Sequence, residues 1–119
     1  MKTNDAVVAL AALAQDTRLA VYRLLVEQGA VGLSAGEIAE RIGIAPAALS
    51  FHLKELAHAR LVRSRQEGRY VFYSADFAAM NRLLAFLTEN CCAADGSTCG
   101  PAACAPSSPS RATSRKVKA

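Results

Sequence analysis

Hydrophobic residues recur at helical spacing through the first ninety residues of the chain. An Ala-, Leu- and Val-rich run over residues 6–14 predicts a first helix that is apolar on all sides. A second helix is predicted to begin near Asp16 and to end near Gly29. Its inward side carries Val21, Leu24 and Leu25. The N-terminal part of the chain is therefore predicted to be two consecutive helices.

Two further helices follow with the spacing of a helix-turn-helix. Ser34 and Glu37 are three residues apart, as in a capping box, where each side chain satisfies a backbone N–H at the start of a helix. The short helix that they open is predicted to stop at Gly43, a natural C-terminal glycine. Pro46 then suits the first position of a new helix that runs to about Arg60. A helix, a tight turn with glycine and a second helix form this motif.

The helix that begins at Pro46 has two distinct faces. Leu49, Leu53 and Leu56 fall together and should pack inward, while the opposite face carries Ala47, Ser50, Phe51, Lys54 and His58. Exposure to water on an outward face does not stabilise a large aromatic side chain such as that of Phe51. Two interpretations stay open for it: an apolar contact with a thymine methyl group in the major groove, or an ordinary scattered surface aromatic.

A β-hairpin is predicted directly after this helix. Two β-rich runs, residues 61–66 and 69–73, flank a two-residue turn at Glu67-Gly68. Arg63 and Arg65 lie on one side of their strand, and Arg69 follows the turn. Such a hairpin after a helix-turn-helix is suited to be a wing that contacts phosphates or the minor groove. The alternative is an edge hairpin whose arginines block aggregation; the preceding helices favour the wing.

The last predicted helix, residues 76–90, has more apolar surface than a monomer needs. One stripe contains Phe77, Met80, Leu84 and Leu87, and a second contains Ala79, Leu83 and Phe86. One stripe covers its own domain and the other needs a partner, unless both form one wide stripe buried within a monomer. The prediction is a mainly α fold with a small β-hairpin, a winged helix-turn-helix that forms a homodimer through its first and last helices.

Composition and charge narrow the function classes. The chain has 119 residues and a net charge of +4, but four of its fourteen Lys and Arg residues lie beyond residue 104, where there is no acidic residue. The net charge therefore does not by itself indicate DNA binding. No apolar run approaches the ~20 residues that cross a bilayer, and the first residues do not suit an export signal, so we expect a soluble cytoplasmic protein without membrane contact. No acid/base pair, phosphate loop or nucleophile set indicates an enzyme, and no catalytic cofactor is expected.

Three segments are predicted. Residues 1–90 form the winged helix-turn-helix and dimerisation domain, residues 91–104 contain all four cysteines, and residues 105–119 form a disordered Ser-, Pro- and base-rich tail.

Several motifs of the chain together resemble the ArsR/SmtB family of metal- and metalloid-sensing repressors, over about residues 5–90. They are Asp16-Thr17-Arg18-Leu19, the Ser-x-His-Leu-Lys-x-Leu motif of residues 50–56, Leu61-Val62, and Gly68-Arg69-Tyr70-Val71-Phe72-Tyr73. The resemblance implies a dimeric winged helix that binds double-stranded operator DNA and releases it when an inducer binds. It also implies that Ser50, His52 and Lys54 face DNA.

One residue departs from the pattern of this family. Arg60 stands where the family usually ends the recognition helix with glycine. A left-handed cap without glycine costs about 1 kcal/mol, so a differently shaped junction is an open alternative.

The resemblance also guides the choice of inducer. The helix of residues 34–42 has no cysteine for the arsenic site that many relatives carry there, and the last helix has Asp76 but no His for the zinc site of others. What remains is Cys91, Cys92, Cys99 and Cys104. Relatives with a vicinal pair at this place and a third cysteine several residues later sense trivalent arsenic or antimony.

Thiol chemistry fits that inducer. Trivalent arsenic is soft and binds up to three thiolates in a pyramid, and soft sulfur ligands select soft centres. We therefore predict Cys91, Cys92 and Cys99 as ligands, with Cys104 as a spare or an alternative third ligand. A sensor of divalent Cd, Pb or Zn, a structural zinc, a thiol-redox switch between Cys99 and Cys104, and a cysteine-containing tail without a role are the alternatives.

Overall fold

A computed structural model describes residues 1–96 of the chain. Its elements, in order, are α1 (Thr3–Leu13), α2 (Asp16–Gln28), a 3-10 turn (Gly29–Val31), β1 (Leu33–Ser34), α3 (Ala35–Ile42), α4 (Pro46–His58), β2 (Val62–Glu67), β3 (Tyr70–Ala75) and α5 (Phe77–Leu87). The predicted helices and the hairpin are all present in the predicted order. Within the described residues, no helix is long and apolar enough to cross a membrane. Cys99, Cys104 and the predicted tail lie outside the described residues.

The helix-turn-helix forms through the local signals that predict it. The Ser34 hydroxyl accepts from the Glu37 backbone N–H at 3.2 Å, and the Ser34 backbone N–H donates to Glu37 Oε1 at 3.0 Å, which completes the capping box. Gly43 ends α3 in the left-handed conformation, with φ of 82°. Pro46 is the first residue of α4. The turn between α3 and α4 therefore has the predicted chemistry at both ends.

One hydrophobic core joins the five helices to the sheet. Its largest fully buried side chains come from α2, α3, α4, α5 and the residue before β2: Val21, Leu25, Ile38, Leu49, Leu56, Leu61 and Leu83. Leu24, Phe77, Met80 and Phe86 are partly buried against this cluster. The inward faces of α2 and α4 are those that the 3.6-residue period predicts.

The sheet differs from the prediction in two respects. It has three antiparallel strands in the order β1-β3-β2, because Leu33–Ser34 pairs with β3; a two-residue strand is too short to give an alternating pattern. Glu67 pairs with Tyr70, so the hairpin turn is Gly68-Arg69 and not Glu67-Gly68. Gly68 has φ of 63° and Arg69 does not have a positive φ, which fits a type II′ turn with glycine first.

The last helix ends earlier than predicted, at Leu87 instead of Asn90. The Thr88 hydroxyl donates to the Leu84 carbonyl at 2.8 Å, and Asn90 and Cys92 have positive φ values of 61° and 60°, which an α-helix does not tolerate. Residues 88–96 form successive turns. The vicinal cysteines therefore lie on a turn segment just beyond α5.

Arg60 keeps the left-handed conformation at the junction between α4 and β2. Its φ is 65°, its N–H donates to the Ala57 carbonyl at 2.9 Å, and the N–H of Leu61 donates to the Leu56 carbonyl at 3.0 Å. These two bonds define a Schellman motif, and the buried side chains of Leu56 and Leu61 flank it. The junction thus keeps the ordinary shape without glycine, and the alternative of a different shape is wrong.

Candidate nucleic-acid interface and thiol site

The outward face of α4 is exposed and the inward face is buried. Leu49, Leu53 and Leu56 are at most 3% exposed, whereas Phe51 is 56% exposed. Ala47, Ser50, Lys54 and His58 are also exposed. Because the buried leucines hold one side of α4 against the core, these side chains project on the other side of the helix. The division of α4 into two faces is confirmed; their contact with DNA stays a prediction.

His52 lies between the two faces and contacts α2. It is half-buried, and its Nδ1 lies 3.5 Å from the guanidinium of Arg18. The ring of Phe51 stands edge-on to the imidazole, with 5.6 Å between the centroids and 64° between the planes. His52 is therefore held on two sides by neighbouring side chains.

Arg18 is the residue at this interface that sequence reasoning did not assign a role. Its Nε donates to the carbonyl of Ala12 near the end of α1 at 2.6 Å, so it connects α1, α2 and α4. The only sequence signal for it was its place in the motif of residues 16–19, where an arginine follows the helix N-cap Gln15 by three residues.

The three arginines of the hairpin have different surroundings. Arg65 forms an ion pair with Glu67 at 2.6 Å and lies over the ring of Phe72, 5.1 Å from its centroid. Within residues 1–96, Arg63 and Arg69 form no ion pair. Arg69 occupies the turn itself. The hairpin thus offers one cation at its tip and one along its strand, while Arg65 is partly neutralised by its own strand.

His58 lies on the outward face of α4, but its side chain also lines a groove. The groove has a volume of about 370 Å³ and is bounded by α1, the end of α4 and α5. Besides His58, its polar lining contains Asp5, Arg60 and Arg82. The end of the predicted recognition helix is therefore adjacent to both helices of the predicted dimer interface.

The first and last helices carry exposed apolar side chains. Ala6, Ala9 and Ala12 are the buried face of α1. The other sides of this helix expose Val7, Val8 and Leu10, and α5 exposes Leu87. Ala79 and Leu83 form the buried stripe of α5, while Met80 and Leu84 are only half-buried. One stripe of α5 thus covers its own domain, as predicted, and the adjoining apolar surface is available to a partner.

Cys91 and Cys92 form a close pair of half-buried thiols. Their sulfurs are 3.5 Å apart, well beyond the ~2.05 Å of a disulfide bond. Within residues 1–96, no group of three Cys, His, Asp or Glu side chains is placed to hold a metal ion. The structure brings together two of the four predicted ligands; Cys99 and Cys104 are outside the described residues.

Known proteins share this architecture. Residues 13–65, from the end of α1 into β2, match the family described as Helix-turn-helix domain. The chain is 33% identical over 97 residues to the transcriptional activator HlyU of Vibrio cholerae, a match that covers 80% of this chain and 87% of HlyU.

Two solved structures are similar as well. An ArsR-like transcriptional regulator from Rhodococcus sp. RHA1 has a TM-score of 0.65 and 30% identity, over 76% of this chain and 82% of that chain. A possible transcriptional regulator for arsenical resistance has a TM-score of 0.58 and 29% identity, over 66% of this chain and 79% of that chain.

Proposed function

The chain belongs to the ArsR/SmtB family of winged-helix transcriptional regulators, and from that premise we propose that it is a homodimeric repressor that trivalent arsenic or antimony releases from operator DNA. Members of this family are DNA-binding regulators, which are not a class of enzyme. The observation that carries the proposal is the exposed face of α4 beside a hairpin with a cationic tip.

The proposed DNA contacts come from α4 and the hairpin. Ala47, Ser50, Phe51, His52 and Lys54 enter the major groove, where a hydroxyl, an imidazole and an ammonium bind acceptors and Phe51 contacts a thymine methyl. Arg63, Arg65 and Arg69 supply phosphate contacts or enter the minor groove. The ion pair with Glu67 lowers the net charge that Arg65 offers to DNA, so we assign the larger share to Arg69.

In the groove the ammonium of Lys54 would also lie close to the flanking phosphates, and the salt dependence of binding tests that placement of its charge. Each phosphate that a cation neutralises contributes about 0.9 to the slope of log affinity against log salt. Lys54→Ala should weaken binding to the promoter beside the gene of this protein and flatten the slope by about that amount. Arg23→Ala, which removes an exposed cation from α2, is the matched control and should keep the wild-type slope. Equal slopes for both variants would contradict the assignment.

The proposed dimer uses α1 and α5. Their exposed apolar side chains would leave water if a second copy of the chain covered them, and this burial would favour the dimer. A twofold dimer presents two copies of α4, so it reads two half-sites about one helical turn of DNA apart. The dimer thereby doubles the DNA contact of each protomer.

The proposed inducer site consists of Cys91, Cys92 and a third thiol, Cys99 or alternatively Cys104. With bonds of about 2.3 Å to a shared centre, two sulfurs 3.5 Å apart subtend roughly 100°, which suits a pyramidal three-sulfur complex. Soft thiolates select such a soft centre. The name of the similar regulator for arsenical resistance is consistent with this choice. Six residues, 93–98, separate Cys99 from the pair in the sequence.

The site lies where it can influence the dimer. Cys91 is four residues beyond the end of α5, and the Cys91 backbone N–H donates to the Thr88 carbonyl at 2.9 Å. Binding of the metalloid draws this segment together and shifts the packing of α5 and thus the separation of the two copies of α4. The two binding events are then thermodynamically linked. The factor by which the inducer lowers the affinity for DNA equals the factor by which DNA lowers the affinity for the inducer. Useful release needs a coupling of a few kcal/mol.

A gel-shift titration on that promoter tests the inducer, with arsenite, antimonite, zinc, cadmium and an oxidant compared in parallel. Arsenite and antimonite should release the wild-type chain. Cys91→Ser and Cys92→Ser should bind DNA normally and resist release. Cys99→Ser and Cys104→Ser form a matched pair. Only the variant that lacks the third thiol ligand should resist release from DNA by arsenite. Full release of both Cys91→Ser and Cys92→Ser by arsenite would contradict the assignment of the site. If only cadmium, zinc or the oxidant releases the wild-type chain, that agent and not the metalloid is the inducer.

A further inference from the structure

Arg18 occupies an unusual place between three helices. It is half-buried in the first turn of α2, and its backbone N–H donates to Gln15 Oε1 at 2.8 Å. Its Nε donates to the Ala12 carbonyl at 2.6 Å. That carbonyl is one of the last four of α1, which have no partner within their own helix, and a cation at a helix C-terminus is favourable. The first bond fixes the backbone of Arg18 at the start of α2, and the second anchors its guanidinium at the end of α1.

The held guanidinium lies against one particular nitrogen of His52. The distance from its terminal nitrogen to Nδ1 is 3.5 Å. A guanidinium can only donate, and a neutral imidazole carries its proton on one nitrogen and accepts with the other. A proton on Nδ1 would face the positive charge of Arg18, so this neighbour favours Nδ1 as the acceptor and Nε2 as the nitrogen that carries the proton. The position of Arg18 therefore favours one tautomer of a neutral His52.

From this geometry we propose that Arg18 is a positioning residue that makes His52 a hydrogen-bond donor toward DNA, through Nε2–H. The inference rests on the proposed function, since it requires that α4 binds DNA. The Nε2–H bond of an imidazole diverges from the Nδ1 lone pair, so it is directed away from Arg18, and the ring of Phe51 packs edge-on against the imidazole with 5.6 Å between the centroids. The proposal adds a residue on α2 to a recognition surface that otherwise belongs to α4 and the hairpin.

The tautomer has a consequence for what the protein reads. A donor at Nε2 requires an acceptor: N7 or O6 of guanine, N7 of adenine, O4 of thymine, or a phosphate oxygen. It does not recognise the amino group of cytosine, which is itself a donor. All of these partners are hydrogen-bond acceptors in or beside the major groove. DNA analogues that lack a single acceptor distinguish a base from a phosphate as the partner of His52.

The experiment uses a duplex that the wild-type full-length chain selects from a random pool. Single acceptors are then removed one at a time, with 7-deazaguanine or 7-deazaadenine for base N7, analogues lacking O6 or O4, and methylphosphonates for phosphates. We expect one position at which the analogue weakens wild-type binding about fivefold, as for loss of one hydrogen bond. In His52→Ala and in Arg18→Gln the loss at that position should fall below about twofold, while losses at other positions persist. Arg23→Gln, also on α2, is the matched control and should keep the wild-type pattern.

Each outcome decides the proposal. The proposal is overturned if Arg18→Gln keeps the full loss of DNA affinity at the one position that responds in the wild-type chain. It is also overturned if Arg18→Gln lowers the affinity for all the duplexes equally, because that result indicates only a structural role for Arg18. If Arg18→Gln does not fold, long-range proton–nitrogen NMR of the wild-type chain decides instead, because a proton found on Nδ1 of neutral His52 contradicts the assignment. Failure of the wild-type chain to select any duplex would instead refute the proposed function, so the two failures are distinguishable.

Discussion

At the scale of single residues, backbone conformation and hydrogen bonding outweigh side-chain type. Arg60 holds a φ of 65° at the end of α4 although it has a Cβ, because two backbone bonds and the buried neighbours Leu56 and Leu61 stabilise the cap. Such a conformation costs about 1 kcal/mol in a residue other than glycine. Gly43 meets the same requirement at the end of α3 without that cost.

Glycine at position 60 should therefore stabilise the fold. Arg60→Gly removes about 1 kcal/mol of strain, but the greater freedom of glycine in the unfolded chain offsets about half of it or more, so we expect a net gain of at most about 0.5 kcal/mol in the free energy of unfolding. Gly43→Ala is the matched control in the opposite sense. Its Cβ would meet open space, so only the backbone strain and the freedom of the unfolded chain change, and we expect a net loss of at most about 0.5 kcal/mol. Urea unfolding of the three proteins measures both; a destabilised Arg60→Gly would contradict the account.

The capping box gives a pH dependence of stability. The backbone N–H and then the hydroxyl of Ser34, with a smaller effect of Arg41, hold the pKa of the Glu37 carboxyl below its ordinary value of 4.5. Because folding lowers this pKa, the ionised carboxylate stabilises the fold fully above pH 4.5, and this contribution is lost as the pH falls through the lower folded-state value.

The variant Glu37→Gln isolates that contribution. Wild-type protein should be more stable than the variant at neutral pH, and the difference should vanish in acid, since the protonated carboxyl and the amide are then both uncharged. Urea midpoints over a pH series measure it. Glu40→Gln changes an exposed carboxylate on the same helix, and its difference in stability from the wild type should not shrink as the pH falls. If both variants show the same pH trend, Glu37 is not the source of the pH dependence.

At the scale of secondary-structure elements, α4 combines two functions on opposite faces. Its leucines hold the helix in the core, and its outward residues are free of the core. The division follows from the 3.6-residue period of the helix, which separates residues 51 and 53 by about 200°. A recognition helix needs both faces, because a side chain can read DNA only when the helix that bears it is held rigidly.

Two neighbouring substitutions should separate these functions. Leu53→Ala should lower the free energy of unfolding by about 2–5 kcal/mol, since the side chain is 3% exposed and leaves a cavity. Phe51→Ala should change stability by no more than about 0.5 kcal/mol and weaken DNA binding. Thermal unfolding and gel shifts on both variants provide the comparison. A large loss of stability in Phe51→Ala would place its ring in the fold instead of at the interface.

At the scale of the whole molecule, the distribution of apolar surface indicates a partner. The described protomer leaves large apolar side chains exposed on α1 and at the end of α5. The groove of about 370 Å³ between α1, α5 and the end of α4 joins this surface to the recognition helix. The end of α4 therefore lies next to both helices of the proposed dimer interface.

A charge placed on α1 should separate the protomers. Val7 is 56% exposed on α1, and Val7→Glu would bury a carboxylate in the proposed interface, so we expect sedimentation to show a 12.5 kDa species in place of a dimer. Val31, in the 3-10 turn, is 73% exposed, and Val31→Glu is the matched control that should leave the dimer intact. A wild-type chain that sediments only as the 12.5 kDa species would contradict the dimer itself.

The sequence by itself determined the elements whose signals are local. Caps, glycine stops, a proline at a helix start and the spacing of leucines all act within about four residues, so they predicted the helix-turn-helix, the hairpin and the two faces of α4. The position of the turn was wrong by one residue because the positive φ at Gly68 decides it. The adjacent thiols were evident from their order alone.

Only the tertiary structure decided features that depend on residues far apart in the chain. The contact between Arg18 and His52 joins residues 34 positions apart, and no periodicity reports it. The pairing of β1 with β3 and the partial neutralisation of Arg65 likewise follow from packing and register. Short-range patterns specify which segments become helix or strand, whereas the distance between two side chains on different helices is set by how the whole core packs.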